Sequence, residues 1–223
     1  MATLLLRLSA PLQSWGAESK FEVRRTMNFP TKSGVLGLIA AALGYSREHS
    51  LEKLNTLKFG VRIDHEGKLL RDFHTAKTKK DAYVTKRFYL ADAIFLAGLE
   101  SQDITFLNEI KNALKNPAFP LFLGRRSCPP TMPLLLGIRD TDLLTSLQTE
   151  PWLLDESKQN QFRTAKLRII TDSDIPTEVI RDVPVSFSKL NRKFNFRNVA
   201  EEYINADIIT VQKIIATAHD PFA

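Results

Sequence analysis

The residues with the clearest chemical potential are two arginines and a thiol in the stretch LFLGRRSCPP, residues 121–130. Arg125 and Arg126 stand between Gly124, which permits a sharp turn, and two prolines that stiffen the chain. Planar guanidinium groups on such a loop can bind a phosphate through paired hydrogen bonds, or a carboxylate within the protein. Cys128 would be a nucleophile only beside a histidine, and in this context a small buried filler is the favoured interpretation.

A second candidate site is the segment RDFHTAKTKKDAYVTKR, residues 71–87, in which six Lys or Arg residues stand against two Asp. Basic side chains neutralise phosphates and aromatic rings stack on unpaired bases, a combination that favours single-stranded RNA. The alternative is a solvated loop whose lysines only confer solubility. The candidate RNA-binding residues of this segment are Arg71, His74, Lys77, Lys79, Lys80, Lys86 and Arg87.

A third candidate is the predicted helix start in FPTKSGVLG, residues 29–37. A Walker A loop has glycine directly before its lysine, and Thr31 in that position excludes a P-loop. The free N–H groups of a helix N-terminus still suit one phosphate. Lys32 lies beside them, and Arg24 and Arg25 lie just upstream, so these three residues are further RNA-binding candidates. An ordinary capped core helix is the alternative.

The segment SKLNRKFNFR, residues 188–197, carries four basic residues and no acid. Alternation along a strand places Phe194 and Phe196 on one face together with Arg192, and Arg197 on the other. We expect the two phenylalanines to pack in the core.

Evidence for catalysis is thin. The four histidines have no spacing typical of metal ligands, and the sequence predicts no metal, no cofactor and no catalytic residue. A metal-independent ribonuclease could use His74 with a Tyr or Lys neighbour, and no spacing supports or excludes that.

Charge and composition narrow the class of protein. The 223 residues carry a net charge of +6, with +9 over residues 1–139 and −3 over residues 140–223. This favours an anionic partner for the first part of the chain. A single cysteine excludes an internal disulfide, and no apolar run approaches the ~20 residues needed to span a bilayer. We expect a cytoplasmic protein without a membrane partner.

The elements that position these residues follow from apolar spacing and turn signals. Leaving an insertion aside, their order is strand, helix, strand, strand, helix, strand. The predicted strands cover residues 3–10, 58–64, 93–99 and 133–138, and the helices cover 34–43, capped by Ser33, and 103–115. We expect a turn at 65–67 to return the chain into a strand over 68–74, and an exposed loop or hairpin tip over 75–87.

This order predicts an α+β protein with a ferredoxin-like βαββαβ core, the framework also used by RNA-recognition motifs. The segment at about residues 65–91 is then an insertion before the third core strand. We therefore divide the chain into a ferredoxin-like domain, residues 1–139, and a smaller, mostly β part, residues 140–223, which is a C-terminal extension or a degenerate second subdomain.

Five sequence blocks resemble one known family. They are LLRLSAPLQSWG, FPTKSGVLGLIAAALG, RDFHT, RFYLADAIF and PLFLGRRSCPPTMPLLLG, and they occur in the same order over roughly residues 4–138. The chain resembles the CasD subunit family of the type I-E CRISPR Cascade complex, which belongs to the RAMP superfamily. The remaining 85 residues carry no block that matches.

The resemblance implies a non-catalytic, RNA-binding subunit of a CRISPR antiviral ribonucleoprotein complex. Such subunits have a ferredoxin-like core and a protruding hairpin, the thumb, which is the insertion here. They hold the 5′ handle of the CRISPR RNA and cap one end of the complex. The implied partners are that RNA, the neighbouring Cascade backbone subunit and the large target-recognition subunit, with target DNA nearby.

Two alternatives stay open. In a related subtype the equivalent subunit is the endoribonuclease that processes repeat RNA, with a Tyr and an adjacent Lys-His pair. This chain contains no Lys-His dipeptide, although Tyr45 could replace that tyrosine. The second alternative is a protein scaffold whose basic surface faces acidic neighbours.

Overall fold

The structure, a computed structural model, describes residues 1–16, 22–77, 82–155, 157, 159, 166–175 and 178–206. Over these residues the protein is mixed α+β, dominated by sheet and with few helices, as the sequence predicts. The strands are β1 (Ala2–Ser9), β2 (Leu12–Gln13), β3 (Val23–Arg24), β4 (Lys58–His65), β5 (Lys68–Lys77), β6 (Ala82–Ala91), β7 (Ile94–Ser101), β8 (Leu135–Arg139), β9 (Lys166–Asp172), β10 (Glu178–Ser186) and β11 (Lys193–Asn205). The helices are α1 (Lys32–Ala42), α2 (Glu52–Asn55), α3 (Ile104–Lys115) and α4 (Leu143–Thr149).

A seven-stranded antiparallel sheet forms the body, in the order β10–β11–β9–β4–β7–β1–β8. Helix α1 connects β1 to β4, and α3 connects β7 to β8. The strands after residue 139 join the same sheet, because β9 pairs with β4 and carries β11 and β10 on its outer side. The domain boundary near residue 139 stays a prediction.

Both faces of the sheet centre are covered, which explains the three consecutive leucines of β1, residues 4–6. Leu4 and Leu6 belong to the cluster that includes α1 and α3, whereas Leu5 packs with residues of α4 on the opposite face. Glycines in the neighbouring strands let α4 approach closely. A Cβ at Gly98 would lie 2.6 Å from Leu143 Cδ1, so a side chain here would displace the Leu143 side chain from its present position.

Helix α1 begins earlier than the sequence predicts, and Ser33 is not its cap. Thr31 is the N-cap: its backbone is extended, and its hydroxyl accepts a hydrogen bond from the Gly34 backbone N–H at 3.2 Å. Ser33 already lies in the first turn. The helix ends at Ala42 with Leu43 as its C-cap, and Gly44, the predicted stop, follows with a φ of 76°.

The predicted return of the chain from β4 into β5 as a paired hairpin is wrong. Both edges of β4 are occupied, by β7 and by β9, so β5 has no place beside it. Gly67, with a φ of 72°, turns the chain out of the main sheet. Strand β5 pairs instead with β6 along all ten residues, from Lys68 opposite Ala91 to Lys77 opposite Ala82.

The β5–β6 hairpin belongs to a second sheet, in which β6 also pairs with β2 and, in parallel, with β3. Residues 75–87, expected as an exposed loop or hairpin tip, are therefore largely strand up to the end of this hairpin. The tip, residues 78–81, lies outside the described residues. Within the described part of the chain, no helix is long and apolar enough to cross a membrane.

Candidate nucleic-acid interface

Three arginines from separate parts of the sequence meet where the hairpin joins the body. Arg24 of β3 lies beside Arg87 of β6 in the parallel register. The guanidinium Nη2 of Arg125 donates a hydrogen bond to the Arg24 carbonyl oxygen at 3.0 Å and lies over the Tyr89 ring, 4.5 Å from its centroid. We call Arg24, Arg87 and Arg125 the arginine cluster.

The arginine loop, residues 124–128, is held in one tight conformation. The Leu123 N–H donates to the Cys128 carbonyl at 2.8 Å, and the Cys128 N–H donates to the Arg125 carbonyl at 2.8 Å. These bonds close the loop on itself and direct Arg125 inward to the cluster, whereas Arg126 is exposed. The predicted sharp exit at Gly124 is confirmed by its φ of 80°.

The arginine cluster has hydrogen-bond donors for which the described part of the chain supplies no acceptor. Nη1 of Arg125 and Nε of Arg87 are buried and have no hydrogen-bond partner among the described residues. No described carboxylate forms an ion pair with any of the three guanidinium groups. Unpaired buried donors cost about 1–3 kcal/mol each, and neighbouring positive charges repel. A bound phosphate would relieve both effects.

The hairpin carries its basic and aromatic groups on both faces. Phe73 lies opposite Lys86, is 54% exposed, and has the Arg71 guanidinium 4.9 Å from its ring centroid. Lys77 is also exposed. On the other face His74 pairs with Asp72, which gives the imidazole a carboxylate partner within the protein.

Several predicted residues lack a described place in this interface. Lys79 and Lys80 lie outside the described residues, and Arg25 is exposed just after β3 without a described contact to the cluster. The RNA-binding role of these residues stays a prediction.

Lys32 has protein partners. Its backbone N–H donates to Asp182 Oδ2 at 2.7 Å, and its buried ammonium pairs with Asp172 at 2.8 Å. An internal carboxylate thus occupies the position at the α1 N-terminus where we expected a phosphate. A role for Lys32 in RNA binding stays a prediction, and we leave this residue out of the interface.

Arg197 completes this internal network. It donates from Nε to Asp182 and from Nη1 to Asp172, both at 2.6 Å. Burial alone would lower the pKa of Arg197, but the hydrogen bonds and charges of the two aspartates raise it on balance. Phe196, which we expected in the core, faces the other way and is 67% exposed, so that prediction is wrong.

Cys128 is the small buried filler that the sequence favours, with 1% of its surface exposed. Burial raises the pKa of the thiol, and the weaker opposing effects of Ser127 and Arg125 do not reverse this. A thiol with a raised pKa is a poor nucleophile. No group of three or more His, Cys, Asp or Glu residues in the described ranges is placed to hold a metal ion.

The sequence alone missed Tyr89 as the platform under Arg125. The available signal was the two-residue spacing of Arg87 and Tyr89, which places both on one face of a strand. The local sequence does not show that Arg125, 36 residues further along the chain, packs over the same face.

Comparison with known proteins defines the class. A family model described as "CRISPR-associated protein (Cas_Cas5)" matches residues 3–200, so the chain belongs to this family. It is 37% identical over 156 residues to the "CRISPR system Cascade subunit CasD" of Escherichia coli K12, which covers 60% of this chain and 70% of that protein.

Two solved structures are similar over nearly the whole chain. One, titled "CRISPR RNA-guided surveillance complex", has a TM-score of 0.78 and 32% identity and covers 93% of this chain and 92% of its own. The other, titled "Crystal structure of Cas protein", has a TM-score of 0.75 and 36% identity and covers 94% and 98%. The resemblance seen in the sequence blocks is confirmed.

Proposed function

We propose that this chain is a non-catalytic subunit of a CRISPR RNA-guided surveillance complex and holds the 5′ handle of the CRISPR RNA. The observation that carries the proposal is the arginine cluster, with two buried guanidinium nitrogens that lack an acceptor among the described residues. Family membership and the likeness to the named surveillance complex support it. The complex would operate in the cytoplasm.

A ferredoxin-like core is part of this proposal. The inner strands lie in the order β4–β7–β1–β8, all antiparallel, with a helix between the first and second and between the third and fourth strands in sequence. This is the arrangement expected of a βαββαβ unit. The β5–β6 hairpin would be the thumb, and residues 140–223 would extend the core as a smaller, mostly β part.

The chemical roles follow from the geometry. Arg87 and Arg125 would bind a phosphate through their free N–H groups, with Arg24 adding charge beside them. Tyr89 stacks on the Arg125 guanidinium and limits its rotamers, so less side-chain entropy would be lost on binding. Arg71 and Phe73 would offer a cation and a stacking face along the thumb. The neighbouring backbone subunit and the large target-recognition subunit would contact other surfaces, with target DNA close by.

Removing two cluster arginines should weaken RNA binding in a salt-dependent way. For Arg87→Ala/Arg125→Ala, we expect the slope of log affinity against log salt to fall by about 1.4, because each contact to a single strand contributes about 0.7. The measurement is fluorescence anisotropy with labelled repeat RNA, on the full chain and on the complex reconstituted with its neighbouring subunits.

The matched control is Lys111→Ala/Lys115→Ala on helix α3, which removes the same charge from another surface. It should leave the slope within error. If Arg87→Ala/Arg125→Ala changes neither the salt slope of RNA affinity nor assembly of the complex, the arginine cluster is not the RNA site and the proposal is wrong.

The endoribonuclease alternative makes an opposite prediction. We expect labelled repeat RNA to stay intact with the purified chain in EDTA, because the described residues show no contact between His74 and Tyr45. His74 lies on the hairpin strand β5 beside Asp72, whereas Tyr45 follows α1 and stacks on His49 with 3.8 Å between ring centroids. Gel analysis over several hours checks this. A defined cut that disappears in His74→Ala or Tyr45→Phe would overturn the non-catalytic assignment.

A further inference from the structure

Two arginines and two phenylalanines lie together at the far edge of the main sheet, on strands β10 and β11 and on the residue before β11. Phe196 is directly opposite Arg181, and the Arg181 guanidinium lies 5.8 Å from the Phe196 ring centroid. The Arg192 guanidinium lies 5.4 Å from the Phe194 ring centroid and 6.0 Å from that of Phe187, a ring beside Gly37 of α1. We call Arg181, Arg192, Phe194 and Phe196 the Arg–Phe row.

Arg181, Phe194 and Phe196 are on the opposite face from the buried acid network, whereas Arg192 directly precedes β11 at the edge of the sheet. Side chains alternate along a strand, so Arg197 and Val199 point toward α1 and the core, whereas Phe194 and Phe196 point to the face that carries α4. Helix α4 packs against β1, β4, β7 and β9, at the centre of the sheet. Phe196 lies beyond this cover and is 67% exposed.

No carboxylate in the described part of the chain neutralises the row. Within the described residues, neither Arg181 nor Arg192 forms an ion pair with a carboxylate. The nearby aspartates, Asp172 and Asp182, are committed to Arg197 on the other face. Burial lowers the pKa of Arg192, and the positive charge of Arg47 lowers it further, so two cations stand close together here.

The chemistry of the row is that of a single-stranded nucleic-acid surface. An exposed ring stacks on any base, and a guanidinium group beside it neutralises the adjoining phosphate. Successive side chains on one face of a strand are roughly 6.5 Å apart, since each residue advances about 3.3 Å. An acidic protein surface could bind the arginines, but its carboxylates would not stack on the Phe196 ring, which is 67% exposed.

We propose that the Arg–Phe row binds a single nucleic-acid strand, with one unpaired base stacked on Phe196 and phosphates held by Arg181 and Arg192. This surface is separate from the arginine cluster. The inference goes beyond the handle-binding role and does not require it. RNA and DNA present the same phosphate and base chemistry, and parallel probes distinguish them.

Phe196→Ala tests the stacking contact. We expect about tenfold weaker binding of unstructured 12-nucleotide probes, because loss of one base–aromatic contact commonly has an effect of this size. Arg181→Ala should weaken binding and reduce the salt slope by about 0.7. Both are measured by anisotropy on the full chain, with RNA and DNA probes of equal sequence. The probe, RNA or DNA, whose affinity falls more in these variants is the kind of nucleic acid that the row binds.

Phe119→Ala and Lys115→Ala are the matched controls, since Phe119 is 51% exposed and both residues lie away from the row. Photocrosslinking with 5-iodouracil probes and peptide mapping locates the contact. Crosslinks within residues 192–198 that disappear in Phe196→Ala support the inference. Crosslinks confined to residues 124–128, with Phe196→Ala equal to Phe119→Ala, overturn the inference while leaving handle binding intact.

Discussion

Replacing Arg62 with alanine is expected to lower the free energy of unfolding by about 3–5 kcal/mol, because it breaks a buried ion pair and leaves one charge alone. Arg62 and Asp64 side chains are both 0% exposed and lie 2.6 Å apart between Nε and Oδ1. In a low-dielectric interior neither charge is tolerated without the other. The remaining Asp64 carboxylate would either stay charged without its partner or take up a proton.

The same guanidinium also holds a segment of chain against the sheet. Nη1 of Arg62 donates to the carbonyls of Leu147 and Glu150, and Nη2 donates to that of Pro151. These acceptors belong to the end of α4 and the residues after it. Loss of Arg62 would therefore leave three carbonyls without their donor, and we expect the chain after α4 to loosen first.

Urea denaturation of the full chain measures the effect, with the exposed Arg47→Ala as the control, which should change stability by less than about 0.5 kcal/mol. In a double-mutant cycle, Arg62→Met/Asp64→Leu should cost less than the sum of the two single changes, because no unpaired charge remains. A loss below about 1 kcal/mol for Arg62→Ala would show that the pair does not stabilise the fold.

The sequence was a good guide to elements whose signal is local. The apolar run of β1, the spacing of Leu107, Ile110 and Leu114 in α3, and the glycine stop of α1 each predicted an element that the structure contains. These signals depend on neighbours within a few residues, which is the range over which periodicity and capping act.

Partner choice between distant segments was not predictable in the same way. The position of Lys32 at a helix N-terminus is typical of a phosphate contact. Its ammonium group and backbone N–H instead donate to Asp172 and Asp182, about 140 and 150 residues away. Phe196 alternates like a core residue, yet α4 does not extend far enough to cover it. Burial depends on what the rest of the chain places above a residue, and a single strand pattern does not contain that information.

The candidate site depends both on local signals in the sequence and on contacts between distant segments. Arg24, Arg87 and Arg125 were each named from local charge, but their meeting depends on the parallel pairing of β3 with β6 and on a contact between residues 101 positions apart. Nothing in the local pattern distinguishes Arg125, which points into the cluster, from its neighbour Arg126, which is exposed. The loop conformation makes that distinction, and it depends on Gly124.

Gly124→Ala should therefore lower both the free energy of unfolding and the affinity for RNA. The residue has a φ of 80°, a conformation that costs an L-residue with a side chain roughly 1–2 kcal/mol. A Cβ added here would lie 1.7 Å from the Ser14 carbonyl oxygen, far inside van der Waals contact. The loop and the segment around Ser14 must separate, which breaks the bond from the Ser14 N–H to the Leu123 carbonyl.

We expect a total loss of at least about 3 kcal/mol, which lowers Tm by roughly 6–12 °C for a chain of this size. Thermal unfolding followed by circular dichroism checks this. Repeat-RNA affinity should fall to the level of Arg125→Ala, because the displaced loop no longer directs Arg125 over Tyr89.

Gly37→Ala is the matched control, since a Cβ there would lie 3.4 Å from the Phe187 ring, an ordinary contact. Because Gly37 lies within α1, alanine should be neutral or stabilise the helix by up to about 1 kcal/mol. If Gly124→Ala instead matches Gly37→Ala in both Tm and RNA affinity, the loop tolerates a side chain, and Arg125 is not oriented by this turn. If stability falls but RNA affinity at low temperature does not, Gly124 is needed for folding alone, and the phosphate site must be formed by residues other than the arginine loop.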